Sequence, residues 1–168
     1  MDASVMDGAT GKYGSLIGLE GVPTPLRVAY TLLKEMGKKI LQGRFATDYA
    51  SKVLKDFEKK STRNSSISSD TVGAVALDKK GHLAVASSTG GIWNEMPGRV
   101  GDTPIVGGGS YANDCGTAGC TGRGEAFAGY GAALRAVTFI TDGYSPEKAT
   151  REVLNGLQKR YPDEGWGG

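Results

Sequence analysis

Histidine and cysteine are nearly missing from this chain of 168 residues, which holds one histidine, His82, and two cysteines, Cys115 and Cys120, not spaced as Cys-x-x-Cys. Those three side chains cannot supply the four ligands of a structural zinc site, so zinc fingers are excluded, and the composition suggests no cofactor. A hydrolytic triad built on an imidazole would have to use His82. That residue sits in Asp78-Lys79-Lys80-Gly81-His82, which reads as a turn at the end of a strand, so any catalysis is expected to avoid histidine. No stretch of eighteen apolar residues occurs, and Met1-Asp2-Ala3-Ser4 opens with an acid instead of a basic and apolar leader. The expectation is a soluble protein with no membrane partner and the cytosol as default compartment. Net charge is only +2, and its excess is spread thinly, which leaves no basic footprint for nucleic acid.

Glycine is what the chain has in excess: 27 residues, roughly twice the usual share, concentrated after residue 90 without a collagen-like period. Such glycine marks many turns or tight backbone at a site. Thr24-Pro25 reads as a cap followed by proline at the first helical position, and Leu26, Ala29, Tyr30, Leu33 and Met36 recur on one face until Gly37. Ala46, Tyr49, Ala50, Val53, Leu54 and Phe57 predict a second amphipathic helix, ending at Lys59-Lys60. Residues 61–70 are small and polar and read as a mobile linker. The pattern changes at Thr71: residues 71–77 and 82–88 are two apolar strands around Asp78-Lys79-Lys80-Gly81, expected to form a buried, central hairpin. Short strands are expected near 103–106 and 117–121. One helix then carries Phe127, Tyr130, Leu134 and Val137, and a second starts at Ser145-Pro146-Glu147 and buries Ala149, Val153 and Leu157. Helices, then strands, then helices predict an α+β or layered sandwich fold in a single domain, not a doubly wound parallel sheet.

Phosphate-binding signatures fail on inspection. Gly122-Arg123-Gly124 continues into Glu125-Ala126-Phe127, with phenylalanine where a third glycine belongs. The sharper signal is Asp70-Thr71, where a polar linker meets an apolar strand. A threonine whose own α-amine is released by cleavage can use that amine as the general base for its hydroxyl, which gives nucleophilic catalysis without histidine. The plainer alternative is that Thr71 merely begins a strand.

Four ordered motifs favour the first reading. Residues 70–91, Pro97-Gly98-Arg99-Val100-Gly101-Asp102-Thr103-Pro104, residues 107–112 and Thr121-Gly122-Arg123-Gly124-Glu125 closely resemble the isoaspartyl peptidase and plant-type L-asparaginase family, relatives of glycosylasparaginase. Residues 1–8 are similar to that family's segment ahead of a strand and helix. The resemblance covers most of residues 1–42 and 70–168. It implies an N-terminal-nucleophile hydrolase, an αββα sandwich made as an inactive precursor that cuts itself between Asp70 and Thr71. Residues 1–70 would be the α-subunit-like part, and residues 71–168 the β-subunit-like part. Thr71 would attack the side-chain carbonyl of asparagine or a β-aspartyl dipeptide, and Thr89 would orient it. Arg99 would clamp the substrate's α-carboxylate, Asp102 its α-ammonium, and Gly124 would offer that ammonium a carbonyl. Thr121 and Gly122 would form the oxyanion hole, with no metal in the site.

Each assignment has a simpler competitor. Thr89 suits a strand by propensity alone, Arg99 and Asp102 could pair with each other on the surface, and Thr-Gly-x-Gly-Glu also suits a glycine-rich helix entry. Arg123 reads as a solvated side chain, and the cysteines as free thiols. The implied partners are a small-molecule substrate and a second αβ unit in a homo-oligomer. Set against the family pattern, the chain is expected to be incomplete at both ends, which predicts an exposed sheet edge and an open groove beside Thr71. N-glycosyl-asparagine hydrolysis uses the same residues and remains an alternative, as does a non-catalytic or unprocessed remnant.

Overall fold

The computed structural model describes residues 1–19, 24–42, 71–92 and 95–162. Two antiparallel hairpins make the frame. The first joins β1 (Asp2–Asp7) to β2 (Lys12–Ile17). Its turn is stabilised by the Asp7 carboxylate, which accepts from the Ala9 N–H at 3.0 Å and the Thr10 hydroxyl at 2.6 Å. Helix α1 (Pro25–Met36) then leads to β3 (Lys38–Gln42), which lies parallel to β2. The second hairpin, β4 (Thr71–Leu77) and β5 (Leu83–Thr89), turns where Asp78 accepts from the Lys80 and His82 N–H groups at 2.7 and 2.8 Å and Gly81 adopts a positive φ of 85°. These strands form one sheet in the order β3-β2-β1-β5-β4. A small antiparallel pair, β6 (Ser110–Ala112) and β7 (Thr117–Gly119), is followed by α2 (Gly124–Tyr130), α3 (Ala132–Thr141) and α4 (Pro146–Arg160).

Alternation along β1 sorts the layers. Ala3 and Val5 point to α1, where Ala3, Leu16, Leu19, Ala29 and Leu32 make one core cluster. Ser4 and Met6 point the other way. Met6 packs with Val85 and Ala112, and the Ser4 hydroxyl meets the Ser110 hydroxyl at 2.8 Å. The cross-strand register Ser15–Ser4–Ser87–Gly73 lays a row of small side chains across this inner face, which lets β6–β7 approach it closely. Beyond that pair, Ala126, Phe127, Ala132, Val153 and Leu157 close a second core between the C-terminal helices. The first turn of α3 is satisfied by its neighbours: the Ala133 and Leu134 N–H groups donate to the Gly108 and Gly107 carbonyls at 3.3 and 3.0 Å.

On the opposite side of the sheet, α1 sits directly on the backbone of β2. A β-carbon added to Gly14 would overlap the Ala29 carbonyl oxygen and stand 2.9 Å from the Leu33 nitrogen. Because both obstacles are backbone, Gly14→Ala should push α1 off the sheet and cost about 1–3 kcal/mol of unfolding free energy, read by chemical denaturation. An unchanged denaturation midpoint would show that the helix is not seated this way.

Several expectations need correction. The 71–89 hairpin is neither central nor buried throughout: among the described residues β4 is the outer strand, with Val72, Val75 and Leu77 at 64%, 59% and 69% exposure. Beside Thr71 lies a cleft, and among the described residues no strand pairs with the outer side of β4. Helix α1 runs as expected, yet it buries Leu32 and leaves Tyr30 and Met36 exposed, and Thr24 makes no side-chain cap. Residues 103–106 form a turn with only an isolated bridge from Val106 to Ser110, because Gly107, at φ 88°, reverses the chain there. The single helix expected over Phe127–Val137 is two, since Gly131 takes the left-handed conformation at φ 67° and leaves Leu134 half-exposed. Helix α4 matches its expectation, with the Ser145 hydroxyl accepting from the Lys148 N–H at 3.2 Å. The helix expected over 46–60, the linker 61–70 and Asp70 lie outside the described residues.

Candidate active site

Thr71 stands at the first position of the edge strand, directly opposite Thr89 at the last position of β5. Their hydroxyls meet at 3.1 Å, with Thr71 donating, and Thr89 Oγ1 also accepts from the Gly91 N–H at 3.1 Å. Thr89 is buried, so its side chain is held while Thr71, half-buried, faces a cleft of about 260 Å³. That cleft runs between β4 and the β7–α2 loop and is lined by Thr71, Gly73, Ser87, Gly119, Cys120 and Thr121, among others. Thr121 is exposed at its rim, and Gly122 next to it has φ 143°, a conformation that favours glycine. Thus Thr71, its partner Thr89 and Thr121, with Gly122 next to it in sequence, are gathered at one cleft although the sequence separates them widely.

A second group surrounds the start of α2. A methyl group on Gly124 would stand 2.9 Å from the Asp102 nitrogen, 3.0 Å from Asp102 Oδ1 and 3.1 Å from Arg99 Nη2, so both charged side chains flank this glycine. Only hydrogen could occupy that space. Arg99 does not pair with Asp102, as the simpler surface reading had it. Its Nε and Nη2 donate to the two oxygens of Glu125 at 2.6 and 3.1 Å, and its Nη1 donates to Glu95. The hydrogen bonds from Glu125, partly opposed by burial, raise the Arg99 pKa and keep the guanidinium charged, while Arg99 in turn pulls the Glu125 carboxyl below its usual range. Sequence reasoning missed both glutamates as partners. The Glu-x-x-x-Arg spacing of Glu95 and Arg99 offered a weak hint; Glu125, 26 residues away, offered none beyond its place in the Thr121–Glu125 motif.

Asp102 is buried, and its Oδ2 has no hydrogen-bond partner among the described residues. Burial pushes its carboxyl above the usual range, against the attraction of Arg99 and of backbone N–H groups. A carboxyl whose folded pKa is raised adds stability that is fully present below its unfolded pKa and is lost as the pH rises through the folded value. Asp102→Asn should therefore raise the melting temperature at neutral pH, with the gain shrinking as the pH is lowered into the carboxylate range. A gain that persisted under acid conditions would point to another cause.

The two groups are joined through Cys120 and Gly91. Cys120 lines the Thr71 cleft, and its thiol is pushed up to about 12 by burial first and by the Asp102 charge second. The Cys120 N–H donates to the Gly109 carbonyl at 2.8 Å, and the Gly109 N–H donates to the Asp102 carbonyl at 3.0 Å. Both cysteines are free thiols. Arg123 is exposed, and His82 stays in the exposed β4–β5 turn, 3.1 Å from Asp78. Among the described residues no three Cys, His, Asp or Glu side chains form a metal-ligand cluster, and no helix is long and apolar enough to cross a membrane.

Comparison with known proteins identifies the family. An asparaginase family model matches residues 51–166. Over 97% of its length the chain is 35% identical to a plant-type L-asparaginase of Pyrobaculum calidifontis, covering 63% of that protein. It is 34% identical to a rat isoaspartyl peptidase/L-asparaginase over its full length, covering 56% of the relative. Against an isoaspartyl peptidase of Salmonella typhimurium, identity is 36% over 76% of the chain and half of the relative. The chain thus spans between half and two thirds of the length of these relatives. With most of its residues matched by the family model and nearly all of them aligned to such relatives, the chain belongs to the asparaginase family that includes isoaspartyl peptidases and plant-type L-asparaginases.

Proposed function

We propose that this protein is a self-processing threonine hydrolase that cleaves the side-chain amide of L-asparagine and the β-peptide bond of isoaspartyl dipeptides. The observation that carries the reading is the Thr71 hydroxyl bonded to Thr89 at the mouth of a cleft that Thr121 also lines. After scission between Asp70 and Thr71, the new α-amine of Thr71 takes the proton from its own hydroxyl, and the oxygen attacks the substrate's side-chain carbonyl carbon. Thr121, through its hydroxyl, and Gly122, through its N–H, hold the oxyanion. The leaving ammonia or amine receives the proton, and water then hydrolyses the ester on Thr71. Arg99 binds the substrate's α-carboxylate, while Asp102 and the Gly124 carbonyl bind its α-ammonium. The buried Oδ2 of Asp102, without a hydrogen-bond partner among the described residues, supports this, because a bound ammonium would offset the cost of its burial.

In this reading residues 1–70 and 71–168 are the two parts of one N-terminal-nucleophile domain. The order of layers, α1, the five-stranded sheet, β6–β7, then α3 and α4, supports an αββα sandwich. The same reading includes assembly of αβ units into a homo-oligomer, to be read by sedimentation. The decisive experiment is incubation of the purified chain followed by intact mass, with ammonia release from L-asparagine and amino-acid release from a β-aspartyl dipeptide measured in parallel. Fragments 1–70 and 71–168 together with turnover are expected. A single uncut species with no turnover would sink the proposal in favour of a non-catalytic remnant, and turnover confined to an N-glycosyl-asparagine would reassign the substrate.

A further inference from the structure

Arg99 has two faces on which a carboxylate can be gripped by parallel N–H bonds. The side face, Nε with Nη2, is filled by Glu125, which accepts both bonds. That leaves the end face, Nη1 with the second N–H of Nη2, and the Nη1 donor is already engaged by Oε1 of Glu95. The position of Glu95 is specific. Its carboxylate lies against Gly91: a β-carbon there would overlap Oε2 and stand 2.9 Å from Cδ, and Gly91 itself has φ 85°. The Gly91 N–H in turn donates to Thr89 Oγ1, the acceptor of the Thr71 hydroxyl. A carboxylate of the chain's own therefore lies between the strand end that bears the nucleophile's partner and the end face of the arginine. The pair is also partly shielded, with Arg99 at 12% and Glu95 at 28% side-chain exposure, whereas Glu125 is at 53%.

We propose that Glu95 is an internal competitor for the carboxylate site of Arg99, so that it sets how tightly the protein holds ligands with an α-carboxylate. This rests on the assignment of Arg99 as the substrate's carboxylate clamp. Glu125 holds the guanidinium in orientation, and Glu95 must give up the end face before a ligand can take both of its donors. A ligand that lacks the α-carboxylate does not need that face and does not compete.

The test is calorimetric titration of the full chain with L-aspartate and with L-isoasparagine, which bears an amide in place of the α-carboxylate. Removal of a partly exposed ion-pair partner should tighten L-aspartate binding about two- to fivefold in both Glu95→Gln and Glu95→Ala, with L-isoasparagine unchanged. Arg99→Lys, titrated alongside, should weaken L-aspartate. If Arg99→Lys weakens it while both Glu95 variants bind as wild type or less tightly, Glu95 is no competitor and the Arg99 assignment stands. If Arg99→Lys leaves L-aspartate binding unchanged, or no form binds it measurably, both ideas fall. Equal tightening of the two ligands would also overturn the proposal, since a general loosening of the cleft would then explain it.

Discussion

Thr71→Ala is expected to leave the chain as one 168-residue species and to lower amide hydrolysis by a factor on the order of 10⁴ or more. In the proposed reading one hydroxyl serves both steps: attack on the carbonyl of residue 70 during processing, and attack on the substrate afterwards. Neither neighbour is placed to replace it: Thr89 is buried and its oxygen accepts from the Thr71 hydroxyl and the Gly91 N–H, and the Cys120 thiol, pushed up to about 12, is protonated at neutral pH. Stability should hardly change, since Thr71 is half-buried at the start of an edge strand. Thr71→Ser keeps the hydroxyl and should retain measurable processing. Intact mass, a melting curve and a turnover assay on the same samples separate these outcomes. Full turnover by Thr71→Ala would remove the nucleophile assignment altogether.

The next largest effect is expected from Arg99→Lys, about a hundredfold in kcat/KM and mostly through KM. Charge is conserved in this change, so the loss measures geometry. A guanidinium offers Glu125 one pair of parallel donors and has a second pair that, in the proposed role, grips the substrate once Glu95 yields it, whereas an ammonium is a single point charge that cannot serve both. The variant should also melt lower than wild type, as Glu95 and Glu125 lose a largely buried partner. Should Arg99→Lys leave KM unchanged while lowering kcat, Arg99 would belong to the chemistry of the cleft and not to ligand capture.

Much of the local structure was legible along the chain because its causes are local. Gly81 turns the β4–β5 hairpin with Asp78 bonded inside the turn, and Ser145-Pro146 starts α4; in both cases residues within a few positions supply the backbone conformation and the hydrogen bonds. The break at Gly131 had a visible signal in the glycines flanking Tyr130, but helical periodicity runs through it unchanged. The strands β1 and β2 were poorly marked because Ser4 and Ser15 on one face and Gly14 on the other are small residues that allow close layering and break the apolar alternation.

Sequence alone carried the order of motifs around Thr71, Arg99, Asp102 and Thr121, and with it the family, since side-chain type and spacing are written in the chain itself. It could not say that β4 is an outer strand among the described residues, that Arg99 is shared between Glu95 and Glu125 while Asp102 Oδ2 has no hydrogen-bond partner among the described residues, or that Thr121 reaches the cleft of Thr71. Those facts depend on which layers pack against which, and packing brings together groups whose separation along the chain leaves no periodic trace.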